Sequence, residues 1–301
     1  MSTPAELPAR TPGRDVPINL YRPNAPLPSK LLANLRLTPE GHPSDVRHLV
    51  FETAQGDFRY LEGQSVGILP PGLDAAGKPE KLRLYSVAST RRGDDDDGKT
   101  VSLCVKRVCY TDPVTGQEVR GVASNYLCDL QVGDEVQLTG PVGRTFLLPE
   151  DPEAHVVMIA TGTGIAPFRA FWRELFRPES PFVGQARLFF GMPTSAEILY
   201  QAEIEACADQ YANFRHYYAI SREQKTPDGR RMYVQDRIRE FGDALWSLVR
   251  DPKTFVYICG LKGMEDGVAE AFAAIADYHG VDWTELHEGL KKGKRWHVET
   301  Y

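Results

Sequence analysis

The sequence predicts two domains in series: an antiparallel β-sandwich or barrel, then an α/β domain built on a parallel sheet. Three observations carry that reading. The chain has 301 residues, and at about 150 residues per domain this is room for two buried cores. The first half reads as short apolar–polar alternations cut by turns, the second as apolar strands alternating with amphipathic helices. The texture changes at Pro149–Pro152, which sets the boundary near residue 150.

Residues 1–30 are rich in Pro and polar side chains and read as a flexible N-terminal arm. Residues 31–150 carry the strands. In TVSLCVKRV, Val101, Leu103 and Val105 fall on one face, and Ser102, Cys104 and Lys106 on the other. Turn signals at Pro70-Pro71-Gly72, Gly93-Asp94, Asp112-Pro113 and Val132-Gly133-Asp134 separate the runs. Many short strands at close spacing make a sandwich or a barrel. The Asp94–Asp97 tract reads as a solvated hairpin tip, because consecutive carboxylates in a turn diverge too far to share a metal. In residues 151–301, HVVMIA precedes a helix from about Ala166 to Phe176, and ARLFFG one from about Ile198 to Tyr211. FRHYYAI precedes a helix from about Val234 to Arg250, and TFVYICG one from about Met264 to Tyr278. Strands alternating with helices in this way form a parallel sheet covered on both faces.

Composition excludes several classes. Hydrophobic residues are 42% and charged residues 25%, ordinary globular usage that excludes collagen, coiled coil and disorder. No apolar run approaches the roughly 18 residues of a membrane span. The first fifteen residues hold no apolar stretch, so no secretory signal is expected. The net charge of −6 disfavours nucleic acid as a partner. Cys104, Cys109, Cys128, Cys207 and Cys259 are odd in number and form no CxxC pair. They read as reduced thiols in a cytosolic compartment, with no metal site and no disulfide framework.

One turn points to a nucleotide. Thr161-Gly162-Thr163-Gly164-Ile165-Ala166-Pro167 follows an apolar strand and opens a helix. Its glycines let a phosphate approach the backbone, and the helix N-terminus offers N–H donors and a positive dipole end. Out of context the same residues are a plain strand–helix turn. No Gly-Lys-Ser/Thr follows, which excludes a P-loop. An NAD site places an acid at the end of the second strand to hold the ribose. Here that strand ends Phe190-Gly191-Met192-Pro193-Thr194, without one. The next strand ends Ser221-Arg222, and Arg231 and Tyr233 follow a Pro-Asp-Gly turn. A hydroxyl, two guanidinium groups and an aromatic ring suit a 2′-phosphate with adenine stacked on the tyrosine, so NADP is preferred over NAD.

Five segments then occur in order: Arg83-Leu84-Tyr85-Ser86, TGTGIAP, the SREQ of Ser221–Gln224, Cys259-Gly260-Leu261, and the terminal Trp296-His297-Val298-Glu299-Thr300-Tyr301. Together they resemble the plant-type ferredoxin–NADP reductase family of cyanobacteria and plastids, from about Val16 to the last residue. The resemblance implies an antiparallel FAD-binding barrel followed by a five-stranded NADP-binding domain. It implies an enzyme that exchanges electrons between ferredoxin and NADP(H) through the flavin. FAD contacts fall to Arg83, Leu84, Tyr85 and Ser86, to Cys104, Val105, Lys106 and Tyr110, to the Val122-Ala123-Ser124 turn, and to Thr163 and Tyr301. The family usually has Arg where Lys106 stands, and Lys keeps the charge but loses the bidentate fork. It commonly has Cys where Ala123 stands, a position served by backbone N–H groups.

NADP contacts fall to Ser86, Lys106, Thr163, Met192 and Pro193, to Ser221, Arg222, Arg231, Tyr233 and Gln235, and to Gly260, Leu261 and Glu299. Ser86, Cys259, Glu299 and Tyr301 form the catalytic set. Tyr301 covers the flavin face where nicotinamide must sit, and Glu299 positions nicotinamide and relays protons. Cys259 lines the same pocket or is a buried strand-end thiol. The implied partner is an acidic carrier, ferredoxin or flavodoxin. Arg22, Lys78, Lys81, Arg144 and Lys262 would ring the flavin edge around an apolar centre of Leu82, Leu84 and Val142. The location expected is cytoplasmic, with at most peripheral membrane contact, at the thylakoid where the source is photosynthetic. A reductase for another acceptor and an NADP-binding sensor without FAD are the competing readings.

Overall fold

The structure, a computed structural model, describes residues 15–53 and 57–301. The alternation of the first half builds eight strands: β1 (Leu27–Arg36), β2 (Val46–Glu52), β3 (Ser65–Leu69), β4 (Arg83–Ser86), β5 (Thr100–Lys106), β6 (Cys109–Thr111), β7 (Glu118–Arg120) and β8 (Glu135–Val142). Six of them form one antiparallel sheet in the order β4-β3-β8-β1-β2-β5, while β6 and β7 pair as a hairpin. A bridge between Val87, just past β4, and Leu103 of β5 joins the two end strands and closes the barrel. Closure leaves few unpaired backbone edges. Helix α1 (Val122–Asp129) follows the hairpin.

Val101, Leu103 and Val105 point into the barrel core with Leu31, Leu49 and Phe51. The opposite face of β5 is not solvent: the second domain covers Cys104, and Ser89 and the Asp94 hairpin cover Ser102. Ser102 is fully buried and Cys104 joins a core cluster shared between the domains, so only Lys106 on that face is exposed. Two expectations are corrected here. The N-terminal arm ends earlier than residue 30: β1 starts at Leu27, and Tyr21 N–H already donates to Gly140 O at 3.0 Å. The polar, Pro-rich composition hides the buried alternation of Leu27, Ser29 and Leu31. The rest of the arm, residues 1–14, lies outside the described residues. Within the acidic tract, Asp95, Asp96 and Asp97 are exposed, but Asp94 turns inward and is held by His48, Ser102 and Arg169.

The second half folds as β9 (His155–Thr161), α2 (Ala166–Leu175), β10 (Ala186–Met192), α3 (Gln201–Gln210), β11 (Phe214–Ile220), α4 (Val234–Glu240), α5 (Gly242–Val249), β12 (Thr254–Gly260), α6 (Met264–Tyr278), α7 (Trp283–Lys292) and β13 (Trp296–Thr300). The five strands are parallel in the order β11-β10-β9-β12-β13. The helix expected from Ile198 begins instead at Gln201, because Tyr200 takes a left-handed φ of 58°. The helix expected over 234–250 breaks at Phe241, where φ is −102° and ψ 24°. The strand–helix alternation did not yield α7 or β13.

The segment between β8 and β9 has neither helix nor strand, yet it is no free linker. Phe146 lies 5.9 Å from Phe171 and 5.2 Å from Tyr257, ring centre to ring centre. Tyr257 Oη donates to Leu147 O at 2.6 Å. Each such aromatic pair adds about 0.5–1.5 kcal/mol beyond its buried area. The two domains are therefore joined through a shared core, and the seam between them is where the cavity lies.

Candidate active site at the domain seam

A cavity of about 1200 Å³ opens along the seam and is lined from both domains. From the barrel come Arg83, Leu84, Tyr85 and Ser86 of β4, Cys104 and Lys106 of β5, and Ser124 of α1. Strand β4 ends the sheet order, so residues on either side of it reach the seam. Burial pushes the Tyr85 hydroxyl up to about 12, so it stays neutral. Arg83 is exposed and, among the described residues, donates only to the carbonyls of Lys81 and Leu82, each at 3.2 Å. No side chain caps α1 and its first turn holds no acid. That leaves the N–H donors and positive dipole end of the first turn for an anion.

The second domain contributes the C-terminal ends of its strands, the usual ligand edge of an open parallel sheet. Thr161, Gly162, Thr163 and Ala166 line the cavity, with Gly191, Met192, Pro193, Ser221, Tyr233, Gln235 and Leu261. Two glycines make this edge possible. A Cβ on Gly164 would lie 2.2 Å from Cys259 O, so the β9–α2 turn can press against the end of β12 only as glycine. Gly260 has φ +151°, and a Cβ there would meet Thr161 Oγ1 at 2.1 Å. Thr161 Oγ1 in turn accepts from Leu261 N–H at 3.0 Å.

Strand β13 brings Glu299, Thr300 and Tyr301 to the cavity. Glu299 stands opposite Cys259 in the β12–β13 register. Burial raises the Glu299 carboxyl from 4.5 to about 7. The Cys259 thiol is 1% exposed and pushed well up by burial, with the Glu299 charge adding to the shift and a hydrogen bond from Ser86 opposing it. Ser86, Cys259 and Glu299 thus meet at one point of the seam, with Cys259 behind the cavity wall. Tyr301 is tied by its main chain, N–H to Gly260 O at 3.1 Å and O to Lys262 N–H at 3.0 Å. The residue as a whole is 59% exposed, but its hydroxyl points inward: burial raises it well above its ordinary value, and it shares a 2.6 Å hydrogen bond with Thr163.

The remaining expected residues lie outside the cavity lining. Val105 is 1% exposed in the barrel core, and Ala123 is 5% exposed under α1. Tyr110 and Val122 are exposed beside the β6–β7 hairpin and at the start of α1. Gly260 packs behind the wall, as above. Arg222, next to Ser221 in the chain, and Arg231, two residues before Tyr233, are exposed, and neither pairs with a carboxylate among the described residues. Of the docking set, Leu84 and Val142 line the cavity and Leu82 packs over Gly67. Arg22, Lys78, Lys81, Arg144 and Lys262 are exposed without an acidic partner among the described residues. Sequence reasoning did not single out Val46, Leu199 or Met264, which also line the cavity. They are ordinary apolar residues, and no local signal separates them from core.

The donor set fits a flavin dinucleotide. Arg83, Lys106 and the uncapped α1 offer positive charge and N–H groups for a pyrophosphate, and the Tyr85 ring offers a flat face to an isoalloxazine. The cavity exceeds the roughly 300–1,000 Å³ of a site for one small ligand, which leaves room for a second nucleotide at the strand ends. A closed barrel and a parallel-sheet domain sharing such a seam define a flavin- and pyridine-nucleotide-dependent oxidoreductase. Family models agree: an oxidoreductase FAD-binding domain matches residues 40–146, and an oxidoreductase NAD-binding domain matches residues 158–270. The ferredoxin–NADP reductase of a Spirulina species is 55% identical over 291 residues, covering 95% of this chain and 99% of that one. The leaf-type chloroplast isozyme of Nicotiana tabacum is 48% identical, covering 94% and 79%. The solved ferredoxin–NADP reductase of Plasmodium falciparum with 2′P-AMP superposes with a TM-score of 0.75 at 30% identity, covering 95% and 100%. The chain belongs to the ferredoxin–NADP reductase family.

Proposed function

We propose that this protein exchanges electrons between ferredoxin and NADP(H) through bound FAD, and that the residues at the seam divide the task. The observation that carries the reading is the meeting, in one cavity, of the Arg83–Ser86 strand and the uncapped α1 with the Thr161–Ala166 turn and the Glu299–Tyr301 terminus. Bound FAD supplies the coupling between hydride exchange with NADP(H) and one-electron exchange with ferredoxin. Arg83, Lys106 and the α1 N–H groups neutralise its pyrophosphate, and Tyr85 lies against its ring. Ser221, Arg222, Arg231 and Tyr233 take the 2′-phosphate and adenine of NADP(H), an assignment a planar guanidinium suits. The Thr161–Ala166 turn faces the nucleotide's other phosphates.

Glu299, which ionises near neutrality, holds or releases a proton beside Ser86. Tyr301 fills the nicotinamide position until NADP(H) displaces its ring, which makes ring displacement a selection step. The cationic rim of Arg22, Lys78, Lys81, Arg144 and Lys262 steers an acidic protein carrier toward Leu84 and Val142. A rim that reads charge around an apolar centre accepts an acidic flavodoxin as well as ferredoxin. No helix among the described residues is long and apolar enough to cross a membrane, and the reading places the protein in the cytoplasm with any membrane contact peripheral.

The test is the visible spectrum of the purified protein before and after NADPH is added without oxygen. A flavin spectrum that NADPH bleaches and NADH barely changes is the expected result. A colourless protein that FAD cannot reconstitute would refute the reading in favour of a nucleotide sensor.

A further inference from the structure

The Asp94 hairpin, read from sequence as a solvated tip, grips the second domain. Arg169 of α2 is 4% exposed, and its guanidinium is shared between the domains. On the barrel side, Nη1 donates to Asp94 Oδ1 at 2.6 Å and to Ala88 O at 2.9 Å. On its own side, Nε and Nη2 donate to the Glu203 carboxylate of α3 at 3.0–3.1 Å. The guanidinium also lies 4.9 Å above the Tyr200 ring. Tyr200 Oη bonds His48 Nδ1 at 2.9 Å, and His48 Nε2 returns to Asp94 Oδ2 at 2.9 Å. Asp94, Arg169, Tyr200 and His48 thus close a ring across the seam. The same hairpin adds Asp94 O to Arg173 Nη2 at 2.8 Å and a salt bridge from Arg92 to Glu174.

The position of this ring matters more than its strength. Ala88 lies two residues past Ser86, and Arg169 lies three residues past Ala166; both Ser86 and Ala166 line the cavity. His48 stands opposite Cys104, a third lining residue, in the β2–β5 register. One guanidinium therefore fixes the flavin strand of the barrel against the nucleotide turn of the second domain. It adds directional contacts at the cavity to the apolar core that the two domains share. We propose that Arg169 and Asp94 are positioning residues that set the approach of nicotinamide to flavin, an inference that rests on the reductase reading above. Near-attack geometry is sensitive at this scale, and a shift of about 1 Å costs on the order of 10²-fold in rate.

The test separates positioning from general stability. Binding of 2′-AMP uses the second domain alone, and reoxidation of pre-reduced flavin by ferricyanide uses the barrel alone. Only reduction of the flavin by NADPH needs the two in register. In Arg169→Lys, and in Asp94→Asn should the first variant fail to fold, the single-turnover rate of flavin bleaching by NADPH should fall more than threefold. The 2′-AMP dissociation constant from calorimetry and the ferricyanide reoxidation rate should stay within twofold. A bleaching rate within threefold of wild type, or a parallel fall of all three readouts, overturns the proposal. The wild type distinguishes the two levels. Flavin that NADPH does not bleach in the wild type overturns the reductase reading and the positioning role with it, whereas normal wild-type bleaching with unaltered variants overturns the positioning role alone.

Discussion

Glu299 offers the sharpest handle, because one substitution should raise stability and lower activity. Burial at the seam raises its carboxyl from 4.5 to about 7. Between those values the folded state holds a proton that the unfolded chain releases, so stability falls as pH rises through this interval. The interval sets a ceiling of about 3 kcal/mol. The cavity is open to water, and screening reduces the figure to about 1–2 kcal/mol. Glu299→Gln removes the titration while keeping the shape. Relative to the wild type, the variant should gain about 1–2 kcal/mol of stability between pH 5 and pH 8. All four tryptophans, Trp172, Trp246, Trp283 and Trp296, lie in the second domain. Urea unfolding followed by tryptophan fluorescence therefore reports the domain that holds Glu299. Loss of a positioned proton donor should slow ferredoxin-linked turnover about 100-fold and abolish an inflection near pH 7 in its pH profile. Parallel stability curves for the two proteins, or an inflection near 7 that survives in the variant, would refute the reasoning.

Three other substitutions probe the rest of the site. Arg222→Ala removes a cation that has no carboxylate partner among the described residues. It should leave the thermal midpoint unchanged and raise the KM for NADPH about 10- to 100-fold, the loss of a charged hydrogen bond worth about 1.5–3 kcal/mol. An equal rise for NADH would exclude the 2′-phosphate role. Tyr301→Ser should raise turnover with NADH relative to NADPH by about tenfold, with stability changed by about 1–2 kcal/mol, because the side chain belongs to no core cluster but its hydroxyl is buried against Thr163. Unchanged discrimination in steady-state assays would end the selection idea. Lys81→Glu should cut kcat/KM for ferredoxin about fivefold at low salt, less at 0.5 M salt, and leave ferricyanide reduction within twofold. Equal slowing with both acceptors would mean that the rim does not dock the carrier.

What the sequence disclosed followed the range of the physics behind each feature. Alternation in Val101–Val105 is a local property of a strand, so the core face was legible. The fate of the other face was not, because Cys104 packs into a cluster with residues of the second domain, and Ser102 is covered by Ser89 and the Asp94 hairpin. The Thr161–Pro167 turn was legible because tight turns need glycine in place. Asp94 was misread for the opposite reason. Its partners His48 and Arg169 are 46 and 75 residues away in the chain, and nothing local distinguishes it from Asp95, Asp96 and Asp97. Helix α7 escaped because the strand–helix alternation was followed only as far as Tyr278. Its sequence, WTELHEGLKK, fully buries only Leu290.

On the proposed assignment, Tyr301 acts as a displaceable cover. The residue must be held well enough to occupy the nicotinamide position, yet must leave it without unfolding anything. Its main chain is fixed by two hydrogen bonds, to Gly260 and Lys262, and Thr300 Oγ1 reaches Glu265 at 3.3 Å. Only the side chain needs to move. Ring departure breaks the hydroxyl's hydrogen bond to Thr163, worth about 0.5–1.5 kcal/mol, and its contact with the Gly164 backbone, and it returns a buried hydroxyl to water. A residue within a strand would have neighbours packed on both sides, and its removal would carry the roughly 3–5 kcal/mol cost of emptying a core site. Tyr301 lies just past β13, and moving its side chain empties no core site, so a nucleotide bound through its 2′-phosphate can displace the ring. A nucleotide without that anchor has less binding energy to spend on the same displacement. If the proposed roles hold, discrimination at the flavin and recognition at Arg222 are coupled, and Arg222→Ala combined with Tyr301→Ser should show a smaller NADPH preference loss than the two single effects added. Strict additivity in the KM values of the double variant would show that the two positions act independently.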